Sequence, residues 1–249
     1  MTLAMLIWEY ANPRRFMGWT GPLVPVFGAL AALAILTGLS WGFFFTPDDF
    51  RMGASVKIIY IHVPAAFWAI GAWFMMVVTS LIWLIRRHHV SALAAKAAAP
   101  IGMTMTMLGL MTGAIWGQPM WGTWWAWDPR LTSFLILFLF YVGYLALWEA
   151  IENPDTAADL TSVLCIVGSV FAFLSRYAVL FWNQGLHQGA SLSLDAEENV
   201  SDLFWQPLVL CMVGYGLLFV VLVLVRTRTE IRARRLAALE ARERGGMHA

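Results

Sequence analysis

Five of the chain's 14 tryptophans lie between Trp116 and Trp127, in the run W-G-Q-P-M-W-G-T-W-W-A-W-D-P-R-L-T-S of residues 116–133. An indole is a large, rigid, flat apolar surface with one N–H donor. A cluster of them suits either a membrane interface or the cover of a flat apolar ligand. Gly117, Pro119, Gly122 and Pro129 are expected to break any helix running through, which predicts an aromatic loop. Two histidines have the chemistry to act beside it: His62, in Tyr60-Ile61-His62-Val63-Pro64, and His187, in Leu186-His187-Gln188. Imidazole can ligate iron, carry a proton, or bond a carbonyl at a helix end. His88, His89 and His248 lie among basic residues, where a solvated surface role is expected.

The elements that must position these groups are hydrophobic helices. The 249 residues are 60% hydrophobic and 12% charged, with a mean hydropathy of +0.70, so the chain belongs in a bilayer. Apolar segments at 22–45, 58–85, 98–116, 131–149, 160–181 and 206–225 predict six spans, since ~20 residues at 1.5 Å rise cross a core of about 30 Å. The fold class is therefore all-α, a polytopic membrane protein of six transmembrane helices with an aromatic loop, in one domain over residues 1–249. Residues 1–20, with the short run Leu3 to Trp8 followed by Arg14 and Arg15, are expected to form a cytoplasmic interfacial segment. Residues 22–225 form the membrane region and 226–249 a basic tail.

Basic residues set the orientation. Arg14, Arg15, Arg86, Arg87, Lys96 and seven arginines from Arg226 to Arg244 share one face, against Arg51, Lys57, Arg130 and Arg176 on the other. The positive-inside rule then makes both termini cytoplasmic and sets the tryptophan run, His62 and His187 at the outer face. Cys165 and Cys211 are isolated in apolar runs, which excludes a C-x-x-C redox pair, a C-x-x-C-H haem attachment site and a disulfide framework. Met103, Met105, Met107 and Met111 of the third span are expected to pack rather than to ligate.

Haem is a flat apolar macrocycle with two carboxylates on one edge and open axial positions on its iron. A site for it needs aromatic surface, one or two imidazoles and a cation. The outer face supplies the tryptophans, His62 with His187, and Arg130, Arg51, Lys57 or Arg176. At 121–133, W-G-T-W-W-A-W-D-P-R-L-T-S resembles the tryptophan-rich motif of the haem-handling membrane proteins of cytochrome c maturation. I-I-Y-I-H-V-P-A-A at 58–66 and L-H-Q-G at 186–189 resemble its two histidine motifs. The six-span haem exporter protein C family matches over about residues 13–226.

The resemblance implies a fold of six spans in the bacterial inner membrane, with His62 and His187 as axial ligands. It also implies that the loop from Trp116 to Asp128, with Trp121, Gly122, Thr123, Trp124, Trp125 and Trp127, cups the porphyrin. Arg130, Trp182 and Gln188 are the other contacts it suggests. The cargo would be haem b, held non-covalently and transiently, then attached to a histidine of a periplasmic haem chaperone. A small single-span accessory subunit and the ATPase and permease subunits of an ABC transporter are the implied partners, alongside membrane lipid; no nucleic acid is expected. Relatives usually read W-W-N-T-L-H-Q before the second histidine, whereas this chain carries an extra residue after Trp182-Asn183.

Asp128 has two readings, a helix-start residue ahead of Pro129 or a direct contact to haem or chaperone. The expected activity is binding and transfer rather than ordinary enzymatic turnover. Three rivals stand beside it: a membrane cytochrome b-type electron-transfer subunit, a haem or small-molecule permease, and a structural role in which the aromatics are anchors and the histidines incidental.

Overall fold

The computed structural model describes residues 12–181 and 202–246. Its helices are α1 (Pro13–Phe44), α2 (Ile59–Arg86), α3 (His89–Trp121), α4 (Pro129–Ala150), α5 (Pro154–Phe181) and α6 (Asp202–Gly246), with a 3-10 turn at Ala54–Ile58 leading into α2. All six are long and apolar enough to cross a membrane, and no strand occurs among the described residues. The chain is a multi-pass membrane protein.

Three boundaries differ from the sequence-based expectation. Helix α1 starts at Pro13, capped by the Asn12 side chain, which accepts from Arg14 N at 3.0 Å, so residues 13–20 are its first turns rather than a separate segment. Helix α6 runs 45 residues without interruption, so the basic stretch after 225 continues the span. At 1.5 Å per residue it is roughly 68 Å long, about twice a hydrocarbon core. The third difference lies in the tryptophan run itself. Helix α3 continues through Gly117 and Pro119 to Trp121, so Trp116 and Trp121 are helical and the loop is confined to 122–128. Proline costs a helix one N–H bond. Here that loss falls in the last turn, and the helix still runs on to Trp121. The true stop is Gly122, whose φ of +73° gives the left-handed turn and whose N–H bonds the Gln118 carbonyl at 3.0 Å.

Lipid tails are as apolar as leucine, so these helices associate through close packing and polar bonds rather than by hydrophobic exclusion. Rings seat on glycines of neighbouring helices: Tyr60 on Gly42, Tyr141 on Gly102, Trp73 on Gly168 and Trp68 on Gly216. Indole and phenol donors then reach across to main-chain carbonyls. Trp68 Nε1 donates to Met212 O at 2.8 Å, Trp73 Nε1 to Cys165 O at 3.1 Å and Tyr141 Oη to Ala69 O at 2.8 Å. Each of these bonds involves α2, the central helix that carries His62. Helix α1 packs on α6, with Gly38 against Cys211 and Gly214 against Ile35. Both cysteines are buried free thiols, as expected.

The bundle has two distinct ends. The arginine end holds Arg14, Arg87, Lys96 and Arg228; the tryptophan end holds His62 and residues 116–133. At the arginine end, Asp159 accepts from Trp83 Nε1 at 2.9 Å and from Arg87. Lys96 Nζ meets Glu230 Oε2 at 2.9 Å and lies over the Trp148 ring. Arg228 donates to Met17 O at 2.6 Å and Thr20 Oγ1 at 2.7 Å, tying α6 to α1. His88 is more than a solvated side chain, since its Nδ1 accepts from Ser91 N at 3.2 Å and caps α3.

Candidate functional site

His62 sits one turn inside α2, half-buried. Its Nδ1 lies 3.0 Å from Thr112 Oγ1 of α3, and its ring meets the Trp116 indole edge-on, with centroids 5.8 Å apart. The ring also rests against Gly113, where an added Cβ would stand only 3.0 Å from His62 Cε1. Just before it, fully buried Tyr60 packs on Gly42, with its hydroxyl 3.4 Å from Thr46 Oγ1, so the start of α2 is held against α1. The imidazole is thus held on a rigid helix rather than on a loop.

Beyond Trp116 the helix presents Trp121, whose ring folds back over its own axis because Gly117, one turn earlier, has no Cβ to obstruct it. In the loop, Thr123 Oγ1 donates to Trp125 O at 2.9 Å, and Trp125 and Trp127 pack edge-to-face at 5.5 Å. Trp124 and Trp127 are 63% and 75% exposed. They present flat apolar faces outward, while Trp116 and Trp125 turn their indole N–H groups inward. Neither of those N–H groups has a hydrogen-bond partner, although both are buried.

Asp128 is 5% exposed and accepts from Leu131 N at 2.7 Å, so it is the N-cap of α4, with Pro129 in the first turn. Arg130 follows, with its Nε buried and unbonded. It stands close enough to Arg176 of α5 for the two guanidiniums to repel, and Asp128 offsets part of that repulsion. The other outer cations expected from sequence are engaged elsewhere: Lys57 pairs with Asp48 at 3.1 Å, and Arg51 is exposed over the Phe50 ring. Burial takes Arg130 partly out of water, close to a second cation, Arg176. That arrangement favours an anionic ligand.

The structure therefore brings His62 together with Trp116, and gathers Trp121, Gly122, Thr123, Trp124, Trp125, Trp127, Asp128 and Arg130 on the adjoining turn and loop. Trp182, His187 and Gln188 lie outside the described residues. Of the expected packing methionines, Met105 is in the core, whereas Met107 and Met111 face outward. Sequence reading missed Thr112 and Gly113. Thr112 stands four residues before Trp116, and that i, i+4 spacing puts both on one helix face. Nothing in the sequence pairs that face with a histidine 50 positions earlier.

Among the described residues no three His, Cys, Asp or Glu side chains gather to hold a bare metal ion. A metal already chelated in a macrocycle needs only axial donors. One imidazole beside indole faces, with buried N–H donors and a partly desolvated arginine on the adjoining turn, fits such a ligand.

Comparison with known proteins points the same way. Residues 6–242 match the family model described as heme exporter protein C. The protein of that name from Rhodobacter capsulatus is 73% identical over 240 residues, covering 96% of this chain and 99% of the relative. The one from Paracoccus denitrificans is 70% identical over 239 residues, with 96% and 99% covered. The Escherichia coli K12 protein of that name is 39% identical over 223 residues, covering 90% of this chain and 89% of its own length.

Proposed function

The chain belongs to the haem exporter protein C family, and from that premise we propose that it holds haem b transiently at its tryptophan end and presents it to a periplasmic haem chaperone. His62 and His187 are the axial ligands in this reading. Trp116, Trp121, Trp124, Trp125 and Trp127 cover the porphyrin, with Gly122 and Thr123 shaping the turn and Trp182 and Gln188 beside the second histidine. Arg130, with Arg176, takes the propionates. The observation that carries the reading is His62 itself, a half-buried imidazole braced by Thr112 and Trp116 at the root of an exposed indole loop.

Haem supplies the iron and the flat apolar disc; everything else is done by this chain's side chains. The indole faces remove apolar area from water, the arginine pair fixes which edge of the disc faces in, and the rigid helix sets the height of the imidazole. A non-covalent site of this kind can release its cargo, which a transfer protein must do. The termini lie in the cytoplasm of a bacterial inner-membrane protein, and an accessory single-span subunit and an ABC transporter's ATPase and permease are the partners that fit family membership. The cytochrome b-type reading loses ground because, of the three described histidines, His88 and His89 sit at the opposite end from His62.

The test is the optical spectrum and haem content of the purified protein beside His62→Ala and His187→Ala. The wild type should carry substoichiometric haem that extracts into acidified organic solvent, and each variant should lose most of it. Unchanged low-spin spectra in both variants would overturn axial ligation. Reporter fusions near Gly122 should read periplasmic and fusions after Arg244 cytoplasmic.

A further inference from the structure

Thr112 belongs to no motif singled out in the sequence, yet its side chain bears on which nitrogen of His62 carries the proton. A threonine hydroxyl has one hydrogen. Thr112 Oγ1 lies 2.7 Å from Leu108 O and 3.3 Å from Gly109 O, and a carbonyl can only accept. The bond to the carbonyl one turn back is the usual one for a threonine inside a helix, and it uses that hydrogen. Oγ1 then faces His62 Nδ1, 3.0 Å away, with lone pairs only. The contact is satisfied when Nδ1 is the N–H, and in the neutral ring the lone pair then resides on Nε2.

We infer that Thr112 is a positioning residue, which fixes His62 as its Nδ1–H tautomer and so keeps Nε2 as the donor nitrogen for the cargo's iron. The inference rests on the proposed ligation by His62. Gly113 and Trp116, on the same helix, hold the ring from two further sides. An oxygen accepting from Nδ1–H also makes Nε2 a stronger donor, as outer-shell partners of metal-bound histidines generally do. This donor favours the ferric state.

Ring-nitrogen NMR of the haem-free protein, with His62 assigned by its loss in His62→Ala, tests the tautomer without any cargo. The wild type and Thr112→Ser should show Nδ1–H, and Thr112→Val, which keeps the shape and removes the acceptor, should lose it. In haem-loaded protein, Thr112→Val should bind about 10–100-fold more weakly and shift the midpoint potential positive, with Thr112→Ser close to wild type. An Nε2–H ring in the wild type overturns the inference, as does a Thr112→Val protein with wild-type affinity and potential. A His62→Ala protein that keeps its low-spin spectrum would instead strike the ligation reading itself, leaving the NMR result to stand or fall separately.

Discussion

At the arginine end, Lys96 meets Glu230, Arg87 meets Asp159 and Arg228 reaches the α1 backbone; at the tryptophan end, Arg130 is partly desolvated, close to Arg176 and to Asp128. The first set joins α2 to α5, α3 to α6 and α1 to α6 by bonds that each find a partner on another helix. Among the described residues, Arg234 Nη2, Trp148 Nε1 and Thr227 Oγ1 are buried and unbonded at that end. At the opposite end Arg130 Nε and the indole N–H groups of Trp116 and Trp125 are all in that condition. Buried donors left unmatched are costly, and a folded protein keeps few of them. Their number is alike at the two ends, and what sets the tryptophan end apart is their setting beside the exposed faces of Trp124 and Trp127, as on a surface made to receive a ligand.

The largest expected effect that separates the two ends is at His62. Alanine there should abolish most haem retention and cytochrome c maturation while leaving thermal unfolding in detergent close to wild type, because the half-buried ring sits in the first turn of its helix, near the end of the bundle. Added imidazole should restore part of the binding by occupying the vacated position. A large drop in melting temperature with haem still bound would erase the distinction between ends.

Next comes a matched pair of charge deletions. Lys96→Met strands the mostly buried Glu230 carboxylate and should destabilise the protein by about 1–3 kcal/mol without touching haem content. Arg130→Met removes a cation that already faces another, so stability should hold or rise, while bound haem becomes misoriented and its transfer to the chaperone slows. Haem content, covalent haem on the chaperone and melting temperature, measured on both variants, decide between these outcomes. The comparison fails if the two variants behave alike.

Smaller, graded losses are expected from the exposed rings. At ~25 cal/mol per Å², an indole face that loses roughly 60 Å² of contact gives up about 1.5 kcal/mol, or about tenfold in affinity. Trp124→Ala and Trp127→Ala should each show a step of that order in haem titrations, and the double variant their sum if the two rings act independently. A single tryptophan that proved all-or-none would mark a specific contact instead of a shared platform.

Much of this was legible in the chain because bilayer physics writes itself in lengths: six apolar runs gave six spans, and the basic residues sorted to one end. His62 and Arg130 also stand out, since ionisable side chains are costly to place in a span without a reason, and Trp121 to Trp127 by their density in one short run. The end of α3 is not legible in this way, because Gly117 and Pro119 are breakers by propensity and yet the helix runs through both to Trp121 and stops at Gly122. Thr112 was invisible for another reason. Its importance comes from a ring 50 residues away on an adjacent helix, and periodicity along one helix cannot say which partner the neighbour will present.

Asp128 offers the finest test, because two roles coincide in one side chain. As N-cap it accepts from Leu131 N, and replacing such a cap by alanine typically costs about 1 kcal/mol, whereas asparagine caps nearly as well. As the carboxylate beside Arg130 it offsets part of the repulsion that Arg130 meets from Arg176, and asparagine cannot do that. Asp128→Asn should therefore leave unfolding almost unchanged while raising the net positive charge around the proposed propionate site. Haem should stay bound through the histidines and be held harder at that edge, so covalent haem on the chaperone should fall although haem content does not. Asp128→Ala should show the same transfer defect together with a small loss of stability. If Asp128→Asn transfers haem at the wild-type rate and only Asp128→Ala is impaired, the residue acts through the helix start alone, and the charge balance at the tryptophan end has no part in release.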